Sequence, residues 1–346
     1  MKTERAPMDP QTATDVPALM KAAFQRITAR EFDAARPIVD RLRVLGPDNG
    51  MTAHARLHLD TDSCEVESGA AFGEAFLAEH DATQGINVHN AWHLAALQVE
   101  AGQATAALGW HQRVVTPAVA QVPMTFASAV TLLWRIELYG LGRARGAILP
   151  WAAMHAAAAG IADGSALNEI SRAMACIAVG DDPGVDAVLA RLEPAAASAS
   201  SPGAEPAEEA EEAEQAEQAG LARPIVEGLR AAWMGDAAGA AGHLEPAVRD
   251  LHRLSRFQEQ KTPIEDTLLD AQLRVGRNAV AAAFLTARTA AQPRPLARDL
   301  FWLGRARLGA GDRQAGQASL RAARGRWRSA EPDSPELAAL DALLAA

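Results

Sequence analysis

The chain has 346 residues, a formal net charge of −10, 49% hydrophobic residues and 22% charged residues. That length suits one large repeat domain or two ordinary ones. The acidic balance disfavours nucleic acids and anionic membrane surfaces as partners, because both select a basic face. Aromatics are only 5%, and much of the apolar share is alanine, the strongest helix former, whose small side chain builds a core only where helices pack closely. Two cysteines, Cys64 and Cys176, are too few for a disulfide framework and fit a reducing compartment. The opening MKTERAPMDP carries no apolar h-region, and no stretch approaches about 18 uninterrupted apolar residues. The expectation is a cytoplasmic chain with neither a secretory signal nor a transmembrane helix.

In chain order, nearly every segment reads as amphipathic helix, and strand signals are almost absent. Gly46-Pro47, Gly102, Pro117, Gly140, Pro150, Gly160, Gly180, Gly276 and Gly309 punctuate the chain, leaving helical stretches of roughly 10–16 residues. The first helix pair follows the tetratricopeptide order of small and apolar positions, a pattern of about 34 residues that ends in proline. Leu19, Ala22, Ala23 and Arg26 fall on one helix, Ala35, Val39 and Leu42 on the next, and Pro47 closes the unit. Arg26 stands where a large apolar residue is usual. Trp92 to Pro117 follows the pattern more weakly, and two later stretches repeat the helix–Gly–helix rhythm. Each unit has an apolar face that it buries only against its neighbours, so the expected fold is all-α, an α-α helical repeat of the tetratricopeptide-like solenoid kind.

Residues 194–220, PAAASASSPGAEPAEEAEEAEQAEQAG, carry no large apolar side chain. They read as a low-complexity acidic linker, disordered in its first half and helix-prone in its second. This divides the chain into helical-repeat blocks at 10–193 and 221–346.

The histidines are the most informative residues. His54 and His58 are four positions apart, as are His89 and His93. That spacing stacks two rings on one helix face. The two pairs are 35 residues apart, one repeat period, so units stacked in register bring four imidazoles to one patch on helices roughly 10 Å apart, with His155 as a possible fifth. Such a patch suits a divalent metal, with Asp60, Glu100 or Glu137 as carboxylate ligands. It also suits metal-free acid–base work, or the polar wall of a pocket in which Trp92, Trp134 and Arg135 make stacking and charge contacts. The plain structural alternative is half-buried histidines hydrogen-bonded to neighbouring carbonyls. In LLWRIELYG, Arg135 and Glu137 lie two apart inside an apolar helix, and because a buried arginine is costly unless paired, this segment either lines a groove or pairs across helices. Near the C-terminus, Thr262 reads as an N-cap, with Pro263, Glu265 and Asp266 opening a helix. Arg321, Arg324, Arg326 and Arg328 read as a solvated face. No P-loop, dinucleotide fingerprint, nucleophile elbow or CxxC pair occurs.

The string VHNAWHLAALQVEAGQATAAL, the earlier TAHARLH and the later LLWRIELYG together resemble the tetratricopeptide repeat protein 38 family. His54 and His58 match its H-A-x-x-H helix; His89, Asn90, Trp92 and His93 match its H-N-x-W-H helix; Leu132, Leu133, Trp134, Arg135, Glu137 and Leu138 match its L-L-W-R-L-E-L helix. PIVEGLRAAWMGDAAGAAGHLEPAV and QEQKTPIEDTLLDAQLRVGR resemble the family's C-terminal helices, so the likeness spans about residues 20–310. The chain departs from the pattern in a shorter N-terminal half. Ser171 also stands where a histidine is expected, and Phe257 to Thr262 replace an S-H-A-Q-R-D segment. The resemblance implies a helical-repeat fold and, for any histidine-centred site, half of its ligands.

The reading is therefore a helical-repeat protein that binds a small molecule or peptide in a concave pocket lined by His54, His58, His89, Asn90, Trp92, His93, Trp134, Arg135 and Glu137. No metal or cofactor is assigned, and a homodimer is possible. The alternative is an enzyme that uses the four histidines, with or without metal, on a small organic substrate.

Overall fold

The computed structural model describes residues 14–121, 125–141, 148–161, 164–193, 206–255 and 257–345, with the side chains of 206–213 excluded. Helices are Val16–Thr28 (α1), Phe32–Leu45 (α2), Gly50–Asp62 (α3), Val66–Glu79 (α4), Ile86–Glu100 (α5) and Ala104–Trp110 (α6), the last running on through a π turn at His111–Val115. Then come Phe126–Leu138 (α7), Trp151–Ala158 (α8), Ala166–Val179 (α9), Asp182–Arg191 (α10), Pro206–Trp233 (α11), Ala237–Val248 (α12), Gln258–Arg274 (α13), Asn278–Ala291 (α14), Ala297–Gly309 (α15), Arg313–Arg326 (α16) and Pro335–Ala345 (α17). The described residues contain no strand. The fold is an all-α helical repeat in which most helices pack against their sequence neighbours. Among the described residues no helix is long and apolar enough to cross a membrane.

Local sequence sets the helix boundaries. Side chains of Asp15, Asn49, Ser165, Asp181, Asp236 and Asp312 accept backbone N–H groups at helix starts, satisfying donors that the first turn leaves unpaired. The first pair packs as expected: Leu19, Ala23, Ala35, Val39 and Leu42 are fully buried. Arg26 stays at the surface, in an ion pair with Glu31.

Among the described residues α7, buried from Phe126 to Ile136, has no solvent face, and α3 and α5 are nearly as enclosed. On α3, Ala53 and Leu57 join the main core while Ala55 and Leu59 join a smaller core against α1 and α2. On α5, every residue from Val88 to Val99 is buried. Polar side chains on these helices therefore lie inside the protein whatever their chemistry.

The boundaries expected at 193 and 221 do not divide the core. The main cluster runs from Ala53 to Leu340, and residues 206–220 belong to one helix continuing to Trp233. Glu214 to Glu217 on it are solvent-exposed, as the sequence suggested, whereas 194–205 lie outside the described residues. Arg298 on α15 joins the halves. Its guanidinium binds Glu336 of α17 at 2.9 Å, Glu100 at 2.7 Å and the Val99 carbonyl at 2.9 Å, and it lies 3.9 Å from the Tyr139 ring centroid. Thr262 is no N-cap. The helix begins at Gln258 and carries Pro263 in its interior, because burial of Glu259, Pro263 and Ile264 against the stack favours extending it backward. Glu265 and Asp266 consequently pair with Arg288 instead of capping. Arg321, Arg324, Arg326 and Arg328 are exposed, as expected.

Replacing Arg298 by leucine strands Glu100 and Glu336 without their shared cation. It should destabilise the protein by about 3–5 kcal/mol in urea unfolding. An unchanged midpoint would show that this ion cluster does not tie the halves together.

Candidate functional site

The site starts from two short helical repeats of polar residues. His54, His58 and Asp62 follow one another at intervals of four on α3, and His89 and His93 do so on α5. Bringing them together requires α3 and α5 to approach closely at their N-terminal ends. Gly50 permits this, since a Cβ there would meet Asn87 Oδ1 and Ile86 Cγ2 at 2.6 Å. Asn90 Nδ2 then donates to the Gly50 carbonyl at 3.0 Å, fixing the register between the helices.

All four imidazoles meet. Ring centroids are 4.5 Å apart for His54 and His58, 4.8 Å for His89 and His93, 5.0 Å for His54 and His89, and 4.3 Å for His58 and His93. One ligating nitrogen from each lies within 4.8 Å of the others. Their exposures are only 0–9%, so the cluster is enclosed and does not form the wall of an open concave groove. Phe24 and Phe257 pack against His58 from two sides, and Trp92 stacks on His89 at 5.1 Å.

The imidazole nitrogens are chemically unusual. Both ring nitrogens of His54 and of His93, and Nδ1 of His58 and of His89, are buried without a hydrogen-bond partner. His111 provides an internal contrast: equally buried, it reaches the Ala129 carbonyl through Nε2 at 3.0 Å and the Thr116 hydroxyl through Nδ1 at 2.9 Å. The plain structural reading therefore holds for His111 and fails for the cluster. Burial holds all four cluster histidines neutral: His54 is pushed down to about 3 and His89 to about 4, while His58 and His93 fall well below their ordinary value through burial and repulsion from the other rings. Neutral imidazole is the form that ligates a metal.

Carboxylates arrive from one side. Asp62 Oδ2 and Glu259 Oε1 lie 4.0 and 3.5 Å from Nδ1 of His58. Burial pushes these carboxyls up, Asp62 to about 7 and Glu259 to about 8, the latter also through repulsion by Asp62. Beyond them opens a cavity of about 70 Å³, lined among others by Thr61, Arg135, Gln258, Thr262 and Arg298, large enough for several waters or one small molecule.

The nine residues expected to form the site thus separate. The four histidines and Trp92 assemble, and Asn90 sets their register. Trp134 does not take part, because its buried indole donates to Thr267 at 3.0 Å and packs against Trp233, whose far side reaches solvent. Arg135 is paired with Glu100 and contributes to the cavity, one carboxylate layer away from the rings. Glu137 is half-exposed, since two positions along a helix turn it away from Arg135. The carboxylates are also not those expected: Asp60 pairs with Arg56 at 2.7 Å and Glu100 with Arg135 and Arg298. His155 lies elsewhere, on Asp181. Ser171 donates to its own helix at Leu167. Asp62 was detectable, as the next member of the four-residue series on α3. Glu259 carried no such signal, since its role follows from where α13 begins.

The depressed histidines give a signed pH dependence. Unfolded imidazoles take up protons as pH falls below about 6.5, whereas the folded cluster does not until near 4 or below. Stability from these groups is therefore present above about pH 6.5 and lost as pH falls towards 4. The raised carboxyls of Asp62 and Glu259 act oppositely over the same range, as do those of Asp60, Glu265 and Asp270 elsewhere in the protein. The rings' own contribution is therefore read as a difference: between pH 7 and 4.5 metal-free wild type should lose stability relative to a folded His58→Leu/His93→Leu variant. The same change in urea midpoint between the two pH values in wild type and variant would contradict the burial of four neutral rings.

No family model matches the chain. Among solved structures it is similar to a tetratricopeptide repeat protein from Parabacteroides merdae ATCC 43184, at 11% identity and a TM-score of 0.36, over 96% of this chain and 98% of that one.

Proposed function

We propose that this helical-repeat protein is a metal-binding protein in which His54, His58, His89 and His93 hold a divalent transition-metal ion. The observation carrying the proposal is the set of buried imidazole nitrogens that lack any partner. Native proteins seldom leave such groups unsatisfied, because each costs on the order of 1–3 kcal/mol. A metal ion bound by one nitrogen of each ring would satisfy up to four of these six atoms. Bonds of about 2.0–2.1 Å in a tetrahedral set place the ligand nitrogens roughly 3.3 Å apart, so the rings need to draw in by about an ångström or so from their present spacing. Imidazole ligands suit zinc, iron, copper or nickel. Asp62 and Glu259 would orient His58 from behind or add carboxylate ligands.

The cavity beyond Asp62 and Glu259 favours a fuller reading. A small polar organic molecule bound there would lie one side chain away from the metal, with Arg135, Thr262 and Gln258 as contacts. This keeps ligand binding as the broad function and makes metal-assisted chemistry on that molecule the second reading. The motifs around His54, His89 and Trp134 support placing the chain near the tetratricopeptide repeat protein 38 family.

Protein purified without chelator should carry at least about one equivalent of transition metal by plasma mass spectrometry. The His58→Leu/His93→Leu variant, checked for folding by circular dichroism, should carry about one equivalent less than wild type. At a hundredfold excess over Kd the bound ion should add about 2.7 kcal/mol to unfolding stability. Wild type that remains below about a tenth of an equivalent after supplementation with zinc, iron and manganese would overturn the proposal.

A further inference from the structure

A separate group of ligating side chains lies on α8, α9 and the turn into α10. His155 Nε2 stands 2.9 Å from Asp181 Oδ2. Cys176 Sγ also contacts the Asp181 carboxyl, and the three ligating atoms lie within 4.8 Å of one another. None of these residues belongs to the four-histidine cluster.

The local backbone prepares this point. Asp181 is the N-cap of α10, and Gly184 N–H donates to its Oδ1 at 3.0 Å. The cap fixes the carboxylate and leaves Oδ2 facing His155 and the thiol. Gly184 also keeps the space open, since a Cβ there would meet Asp181 Oδ2 at 2.2 Å and Cys176 Sγ at 2.8 Å. Cys176 is buried, whereas the side chains of His155 and Asp181 are 38% and 33% exposed. One side of the group therefore faces water. The nearby cations Arg172 and Arg191 are both engaged by Glu169, at 3.5 and 2.7 Å.

We propose that His155, Cys176 and Asp181 form a second metal site, a three-ligand zinc-type centre whose fourth position is open to solvent. Mixed nitrogen, sulfur and oxygen ligands with one open position match the preferences of zinc. A cysteine–histidine nucleophile fits less well. His155 presents Nε2 to Asp181 and not to sulfur, and burial beside that carboxylate raises the thiol to about 11. On binding, the ion takes the sulfur lone pair and the thiol proton leaves to solvent.

Cobalt(II) titration of the full chain tests this, because a thiolate ligand gives a sulfur-to-cobalt charge-transfer band in the near ultraviolet that the all-histidine cluster cannot produce. Wild type should show the band. Cys176→Ser should abolish it, while Cys64→Ser and His58→Leu/His93→Leu should keep it. His155→Ala, at a partly exposed position, should weaken cobalt binding by at least about tenfold. No band in wild type at saturating cobalt, a band surviving in Cys176→Ser, or unchanged affinity in His155→Ala would each overturn the second site without bearing on the first.

Discussion

The contact between the N-terminal turns of α3 and α5 is the constraint on which the site depends. Gly50 leaves no side chain between the helices, and Asn90 bonds across the gap to its carbonyl. With that contact in place, two i, i+4 pairs face each other across the interface, and their rings occupy one volume. A bulkier residue at position 50 would need Asn87 and Ile86 to move, and the imidazoles would separate with them.

Enclosure then decides the chemistry. Because α3 and α5 are surrounded by α1, α2, α4 and α13, the ring nitrogens are shielded from bulk solvent, and the low local dielectric disfavours charging them. His111 shows that this chain satisfies a buried histidine with ordinary partners where the fold supplies them. The cluster receives only aromatic neighbours and two carboxyls. That combination is costly in an ion-free interior and favourable around a cation, which is why the proposed function follows from hydrogen-bond accounting more than from similarity to other proteins.

The buried charges elsewhere are arranged differently. Arg298 and Arg288 each meet two or more carboxylates, with Tyr139 bridging between Arg135 and Asp266. These ion pairs hold α5, α7, α13, α15 and α17 together and line the cavity with both signs of charge. The same cavity ends on Asp62 and Glu259, which face His58. Its lining thus runs from arginine–carboxylate ion pairs at one end to the histidine cluster at the other.

The sequence by itself determined the all-α class, the first repeat with its buried Leu19, Ala23, Ala35, Val39 and Leu42, and the assembly of His54, His58, His89 and His93. Each rests on periodicity along a single helix, which backbone geometry fixes regardless of what surrounds it. The 35-residue interval extended that inference to two helices because repeated units stack alike. Tertiary structure alone decided the rest: that the patch is enclosed, that Trp134 belongs to the core and Arg135 to the cavity, and that Glu259 replaces Asp60 and Glu100 beside the rings. Those outcomes depend on where helices remote in sequence cross and on where α13 starts. Long-range packing sets both, and no local spacing encodes them.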